Sequence, residues 1–130
     1  MKVLALDYGS ARTGVAVSDP TGTLARPLGV VERAGSDDGL AELARLVRSE
    51  EAERVVVGLP LTMRGVRGEQ AVETEQFVER LRGRLDVPVE LYDERFTTDL
   101  ARRTASASPE DARAAAHLLS TYLEWCAARS

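Results

Sequence analysis

The sequence predicts a mixed α/β fold, a five-stranded sheet with helices on both faces. Three observations carry this. The apolar run Val3-Leu4-Ala5-Leu6 ends in an acid, Asp7, which is how a central strand buried on both faces reads. Two more short strand-like segments follow, separated by turns too short to hold a helix, so they predict antiparallel neighbours. From Ser36 onward helical and strand patterns alternate, and such units need parallel pairing with right-handed connections.

The first strand spans 3–6, and Tyr8-Gly9-Ser10-Ala11-Arg12 turns the chain into a second strand at 13–18. Asp19-Pro20-Thr21-Gly22 is a second turn, before a third strand at 27–32. Ser36 is placed to cap a helix reaching Ser49, with Asp37 and Asp38 at the positive end of its dipole. Leu40, Leu43, Ala44 and Val47 form its apolar stripe. A fourth strand at 54–57 leads into Gly58-Leu59-Pro60-Leu61. A charged helix follows at 69–85, with Val72, Phe77, Val78, Leu81 and Leu85 as its apolar positions. The fifth strand, 87–92, tolerates Pro88 and runs into Asp93-Glu94-Arg95. A short helix is predicted at 98–104 and a linker at 106–109, with Ser108 capping the last helix and Pro109 in its first position. Ala115, Leu119, Tyr122 and Cys126 form the inward face of that helix, with Leu118 and Trp125 at its margin. Asp111 stands at the start of this face, and His117 falls on the opposite, polar one with Arg113, Ser120 and Glu124.

A chain of 130 residues suits one domain, 1–130. With 44% hydrophobic and 29% charged residues it reads as an ordered globule rather than a disordered chain. No apolar run approaches the ~20 residues that span a bilayer. The opening run is too short for a signal peptide and ends in an acid. The expectation is therefore a cytoplasmic protein with no membrane partner. The single cysteine, Cys126, excludes an internal disulfide and a multi-cysteine zinc site, and the single histidine excludes a histidine-rich metal centre. Net charge is −4, but it is unevenly spread. The stretch 36–53 holds Asp37, Asp38, Glu42, Glu50, Glu51 and Glu53 against Arg45 and Arg48, whereas 54–68 holds Arg54, Arg64 and Arg67 and no acid. A basic, glycine-containing loop on an acidic body can hold phosphates locally.

Three acids are candidates for chemistry: Asp7 at a strand end, Glu94 after another strand, and Asp111 opening the last helix. Ligands of open α/β sheets gather at such carboxyl ends. Each acid also has a plainer reading: a turn-capping aspartate beside Gly9, one member of an Asp-Glu-Arg surface cluster, and a partner of the helix dipole. Carboxylates brought to one edge repel unless neutralised, and oxygen-only ligands select hard cations such as magnesium or manganese. Two such ions ~4 Å apart can activate water and stabilise the leaving oxygen in phosphodiester hydrolysis. With the sheet ordered third-second-first-fourth-fifth, Glu94 leaves a strand two places from Asp7. That is roughly 10 Å between backbones, which a long side chain and sheet twist must close. Arg64 and Arg67 are the expected phosphate contacts, with Arg12 approaching from the other side and Arg95 as a further candidate.

The motifs resemble a known family. Leu6-Asp7-Tyr8-Gly9 with Gly14-Val15-Ala16-Val17-Ser18-Asp19 is similar to the opening of the YqgF/RuvX proteins. So are Val57-Gly58-Leu59-Pro60-Leu61 with Gly65 and Gln70, the run Tyr92-Asp93-Glu94-Arg95-Phe96-Thr97-Thr98, and Asp111 followed by an alanine-rich stretch and Tyr122-Leu123. The resemblance covers nearly the whole chain in order. It implies an RNase H-like fold related to Holliday junction resolvases, and a metal-dependent nuclease acting at the 5′ end of pre-16S rRNA. By position it implies the acidic triad Asp7, Glu94 and Asp111 as catalytic residues and ligands of Mg2+ or Mn2+. Thr62 departs from the asparagine the family often has there, and 101–110 is short and lacks lysine.

Other readings use the same residues. A structure-specific junction resolvase would apply the same acids to branched or single-stranded DNA instead of precursor rRNA. Asp7-x-Gly9 with Gly14 also resembles the phosphate loop of sugar kinases and actin-like ATPases, which need a second lobe that 130 residues do not supply. A nucleic-acid-binding module without catalysis is the fourth. A homodimer is compatible with the sequence, which leaves oligomeric state open.

Overall fold

The structure is a computed structural model, and it describes residues 1–60, 68–93 and 112–129. The strands are β1 (Val3–Asp7), β2 (Arg12–Ser18), β3 (Ala25–Glu32), β4 (Arg54–Leu59) and β5 (Val89–Asp93). The helices are α1 (Asp37–Ser49), α2 (Glu69–Arg82) and α3 (Ala112–Arg129). One sheet runs in the order β3-β2-β1-β4-β5. The β1–β2 and β2–β3 pairs are antiparallel, and β1–β4 and β4–β5 are parallel. This is the predicted mixed sheet in the predicted order. The short helix expected at 98–104, the linker and the Ser108 cap lie outside the described residues.

Strand β1 is central because all of Val3, Leu4, Ala5 and Leu6 are buried to 1% exposure or less. Their alternation feeds two cores. Leu4 and Leu6, with Val15, Val55 and Val57, pack against Leu40, Leu43 and Val47 of α1 and Phe77, Val78 and Leu81 of α2. Val3 and Ala5, with Ala16, Val56 and Tyr92, pack against Ala115, Leu118, Leu119, Tyr122 and Leu123 of α3. So α1 and α2 cover one face and α3 the other. Each large side chain removed from water in this way stabilises the fold by about 1.5–3 kcal/mol.

The ends of the elements follow local chemistry. The Ser36 hydroxyl accepts the Gly39 N–H at 3.0 Å, capping α1. At the other end Glu51 takes a left-handed φ of +56°. There the Glu51 N–H bonds the Arg48 carbonyl at 3.1 Å and the Ala52 N–H bonds the Val47 carbonyl at 3.0 Å, which is the Schellman closure. Prolines stay at the sheet's edges: Pro27 lies within β3, and β5 starts at Val89, after Pro88, rather than at Val87. Proline cannot donate to a ladder, but the Pro88 carbonyl still accepts the Val55 N–H at 3.0 Å.

Three sequence expectations need correction. Helix α2 stops at Arg82, with Gly83 as its cap, so Leu85 packs on the core from the following connection. Its buried line is Ala71, Thr74, Phe77, Val78 and Leu81. Val72, about 100° round from Ala71, is 38% exposed. In α3 it is Leu123 that completes the buried face, while Cys126 and Trp125 are half-buried at its border.

Candidate active site

Asp7 closes β1, and its side faces α3. Leu4 and Leu6 turn toward α1 and α2, so Val3, Ala5 and Asp7 share the opposite face. The β1–β2 ladder pairs Asp7 with Gly14. In the parallel ladders Leu6 lies opposite Val57, and Gly58 opposite Tyr92. One level of the sheet therefore reads Gly14, Asp7, Gly58, Tyr92. Both strands flanking Asp7 present glycine at its level, and its carboxylate is half-buried.

The turn after Asp7 is held from both sides. Tyr8 points to the other face and stacks on Phe77, with ring centroids 4.4 Å apart and planes inclined by 20°. Burial pushes the Tyr8 phenol up, Glu73 adds to this, and Arg80 pulls it down. Thr13 is fully buried, with its hydroxyl 3.3 Å from the Gly9 carbonyl, to which it donates, and 3.4 Å from the Gly9 N–H. Sequence reasoning passed over Thr13. Its signal was a hydroxyl at the inward position of a strand, four residues from a turn glycine.

Asp93 ends β5 in step with Val89 and Leu91, whose side chains join the α1/α2 core. Tyr92 joins the α3 core. Asp93 is thus on the face away from Asp7. Glu94 and Asp111, and with them Arg64, Arg67 and Arg95, lie outside the described residues. Among the described residues no three acidic, histidine or cysteine side chains gather as a metal-holding group.

Two arginines of the sequence reading are placed. Arg12 begins β2 opposite Glu32, and its Nε lies 3.8 Å from the Glu32 carboxylate, both side chains exposed. Pairs of this kind contribute little and exchange readily. Arg54 does not belong with the basic loop. It starts β4 at the amino edge of the sheet, opposite Val3. Its Nη1 donates to the Tyr122 hydroxyl at 3.0 Å and to Glu90 at 3.3 Å, and Tyr122 donates to Glu90 at 2.8 Å. Burial pushes the Tyr122 phenol up, so it stays protonated and can donate. Arg54 is a structural cation.

The family model described as RuvX, Holliday junction resolvase, matches residues 1–125. A Chloroflexus aurantiacus protein named "Putative pre-16S rRNA nuclease" is 45% identical over 101 residues, which span 78% of this chain and 66% of that protein. Proteins of the same name from Roseiflexus sp. and Syntrophomonas wolfei are 43% and 36% identical, covering 87% and 95% of this chain and 82% and 94% of their own. Among solved structures, Thermus thermophilus RuvC in complex with a Holliday junction substrate superposes with a TM-score of 0.66 at 17% identity, over 98% of this chain and 96% of that one. The fowlpox virus Holliday junction resolvase gives 0.52 at 11% identity, over 96% and 99%. The fold is RNase H-like.

Proposed function

The chain belongs to the RuvX family, and from that membership we propose that it is a divalent-metal-dependent nuclease that hydrolyses phosphodiester bonds, with 5′-end maturation of pre-16S rRNA as its role. The relatives' shared name supports the substrate. One observation supports the chemistry most directly. Asp7 ends the central strand at the carboxyl edge, with glycine on both flanking strands at its level. Neither flanking strand therefore sets a side chain of its own beside that carboxylate.

Asp7, Glu94 and Asp111 are proposed as the catalytic acids. Asp93 points to the α1/α2 side, which makes it unsuited to act with Asp7 and favours Glu94 as the acid that strand supplies. Asp111 directly precedes α3, whose Ala115 is buried against the face that Asp7 shares. An all-oxygen donor set at this edge fits Mg2+ or Mn2+, bound as a pair. A divalent cation held there would offset the charge on the attacking water and the leaving oxygen. The acids position it, and Thr13 and Tyr8 fix the turn that carries Asp7. Arg12, Arg64, Arg67 and Arg95 are the proposed contacts to the substrate's phosphates, which an acidic protein needs.

Precursor 16S rRNA, unstructured RNA and four-way DNA junctions, cut side by side, test the substrate. Precursor rRNA should be cleaved preferentially. Preferential junction cleavage would favour the resolvase activity that the family's description names. Single-turnover rates test the choice of acid. Glu94→Gln should lose nearly all activity and Asp93→Asn much less; the reverse ranking would place Asp93 at the site. The Arg64→Ala, Arg67→Ala double variant should bind RNA more weakly, with a log–log salt slope shallower by ~0.7 per lost phosphate contact. Its rate at saturating substrate should change little. Unchanged affinity and slope would remove that loop from the substrate's path.

A further inference from the structure

Arg33 is held in a conformation that L-residues avoid. Its φ is +46°, in the left-handed region favoured by glycine. The turn around it is tied on both sides. Its N–H donates to the Ala11 carbonyl at 2.9 Å, and its carbonyl accepts the Ser36 N–H at 2.9 Å and the Ser36 hydroxyl at 2.7 Å. The bond to Ala11 joins this turn directly to the one that follows Asp7. The Arg33 side chain itself is exposed, and among the described residues no carboxylate pairs with its guanidinium. The helix-end geometry that accounts for Glu51, the other non-glycine residue in that region among the described residues, has no counterpart here. A strained backbone that aims an unpaired cation into solvent is a pointer to function.

What the guanidinium faces is informative. Ser10, Ala11, Arg12, Glu32 and Arg33 line one open cleft beside the Asp7 turn. Glu32 is the one acid in that lining, and it is engaged with Arg12 at 3.8 Å. A third arginine arrives from α2. The Arg80 guanidinium covers Gly35, where an added Cβ would lie 2.8 Å from its Nη2 and 3.7 Å from the Tyr8 hydroxyl. Arg80 is also exposed, and no ion pair engages it among the described residues. The neighbouring cleft, lined by Glu32, Asp38 and Glu42 with Arg12, is acidic and would repel a phosphate. Arginines from three elements therefore surround the β1 turn, with Glu32 beside Arg12 and Glu73 beside Tyr8.

We propose that Arg33, with Arg12, contacts the backbone of the nucleic-acid strand at phosphates flanking the one cleaved beside Asp7. The inference rests on the nuclease reading above and adds to it a second grip, distinct from Arg64 and Arg67. Arg33 follows β3, two strands from β1, so its contact lies roughly 10 Å to the side of the Asp7 strand. That suits a flanking phosphate rather than the reacting one. The strained turn fixes the side chain's direction, which lowers the ordering cost of a long cation on binding.

The discriminating substitution is Arg33→Gly. It removes the guanidinium but keeps, and even favours, the left-handed turn. Binding is read by fluorescence anisotropy of a labelled single-stranded RNA oligonucleotide, in chelator so that no cleavage occurs, over a range of salt. Arg33→Gly should bind about tenfold more weakly at low salt, with a slope shallower by ~0.7, and should melt at the wild-type temperature or above. Arg33→Lys should retain most of the affinity. Wild-type affinity and slope in Arg33→Gly would overturn the inference, and so would equal losses in Arg33→Lys and Arg33→Gly. If the wild-type protein binds no RNA and no four-way DNA junction, it is the nuclease reading that fails, and this inference with it. A lower melting temperature with unchanged binding would assign Arg33 to the turn alone.

Discussion

Asp7→Asn is expected to lose cleavage by about three orders of magnitude or more while the protein keeps its fold. The substitution is close to isosteric and retains hydrogen-bonding atoms, so β1, buried on both faces, is not disturbed. It removes the charge that the proposed cation site needs. Glycine on both flanking strands offers no substitute ligand at that level. Without the cation, the three proposed acids repel one another, so the variant should melt at the wild-type temperature or slightly above it in chelator. Manganese should raise the melting temperature of the wild type and not that of the variant, because a ligand stabilises only the state that binds it. Melting curves with and without manganese, beside single-turnover rates, measure both effects. A fully active Asp7→Asn protein would remove the account of the site.

Gly39→Ala is expected to destabilise the protein by about 3 kcal/mol. Helix propensity alone predicts the reverse, a gain of about 1 kcal/mol for alanine inside a helix. The structure decides between them. A Cβ on Gly39 would lie 2.2 Å from the Arg33 carbonyl oxygen, 2.6 Å from the Ala34 Cα and 2.8 Å from the Ala34 carbonyl carbon. All three are backbone atoms, and the turn that carries them is tied to Ala11 and Ser36, so no side chain can swing aside. Urea unfolding reads the change as a shift in midpoint at constant slope. A stabilised Gly39→Ala protein would show that the Arg33 turn packs more loosely on α1 than the structure has it.

The sheet was legible in the sequence because its determinants are local and periodic. An all-apolar strand ending in Asp7, a hairpin with no room for a crossover, and alternating helix and strand patterns leave few topologies open. What sequence periodicity blurred were positions where two patterns overlap. Val72 fits a loose helical stripe, yet the tighter line through Ala71 and Thr74 is the buried one. Thr74 was hidden by being polar; its hydroxyl donates to the Gln70 carbonyl at 2.8 Å, and so it can be buried. Arg54 looked like part of a basic loop because charge runs are read along the chain, whereas Glu90 and Tyr122 reach it from β5 and α3.

The candidate site was legible in part. Asp7 could be nominated because strand ends at the carboxyl edge are where such folds bind ligands. That Asp93 faces away from it follows from strand alternation once the core side of β5 is known. Gly14 and Gly58 could not be paired with Asp7 from sequence, since their shared level depends on the register of two ladders. Nor could Arg33 be singled out, because its left-handed backbone is a property of the turn packed against Gly39 and carries no residue signature.

The most direct test of the central claim is a metal titration of cleavage. The purified protein is stripped with chelator and given labelled precursor 16S rRNA under single-turnover conditions, and Mg2+ or Mn2+ is then added back in steps. The account predicts no cleavage in chelator, recovery with either ion, and a cooperative rise consistent with two bound cations. Cleavage that persists at full rate in excess chelator would contradict it.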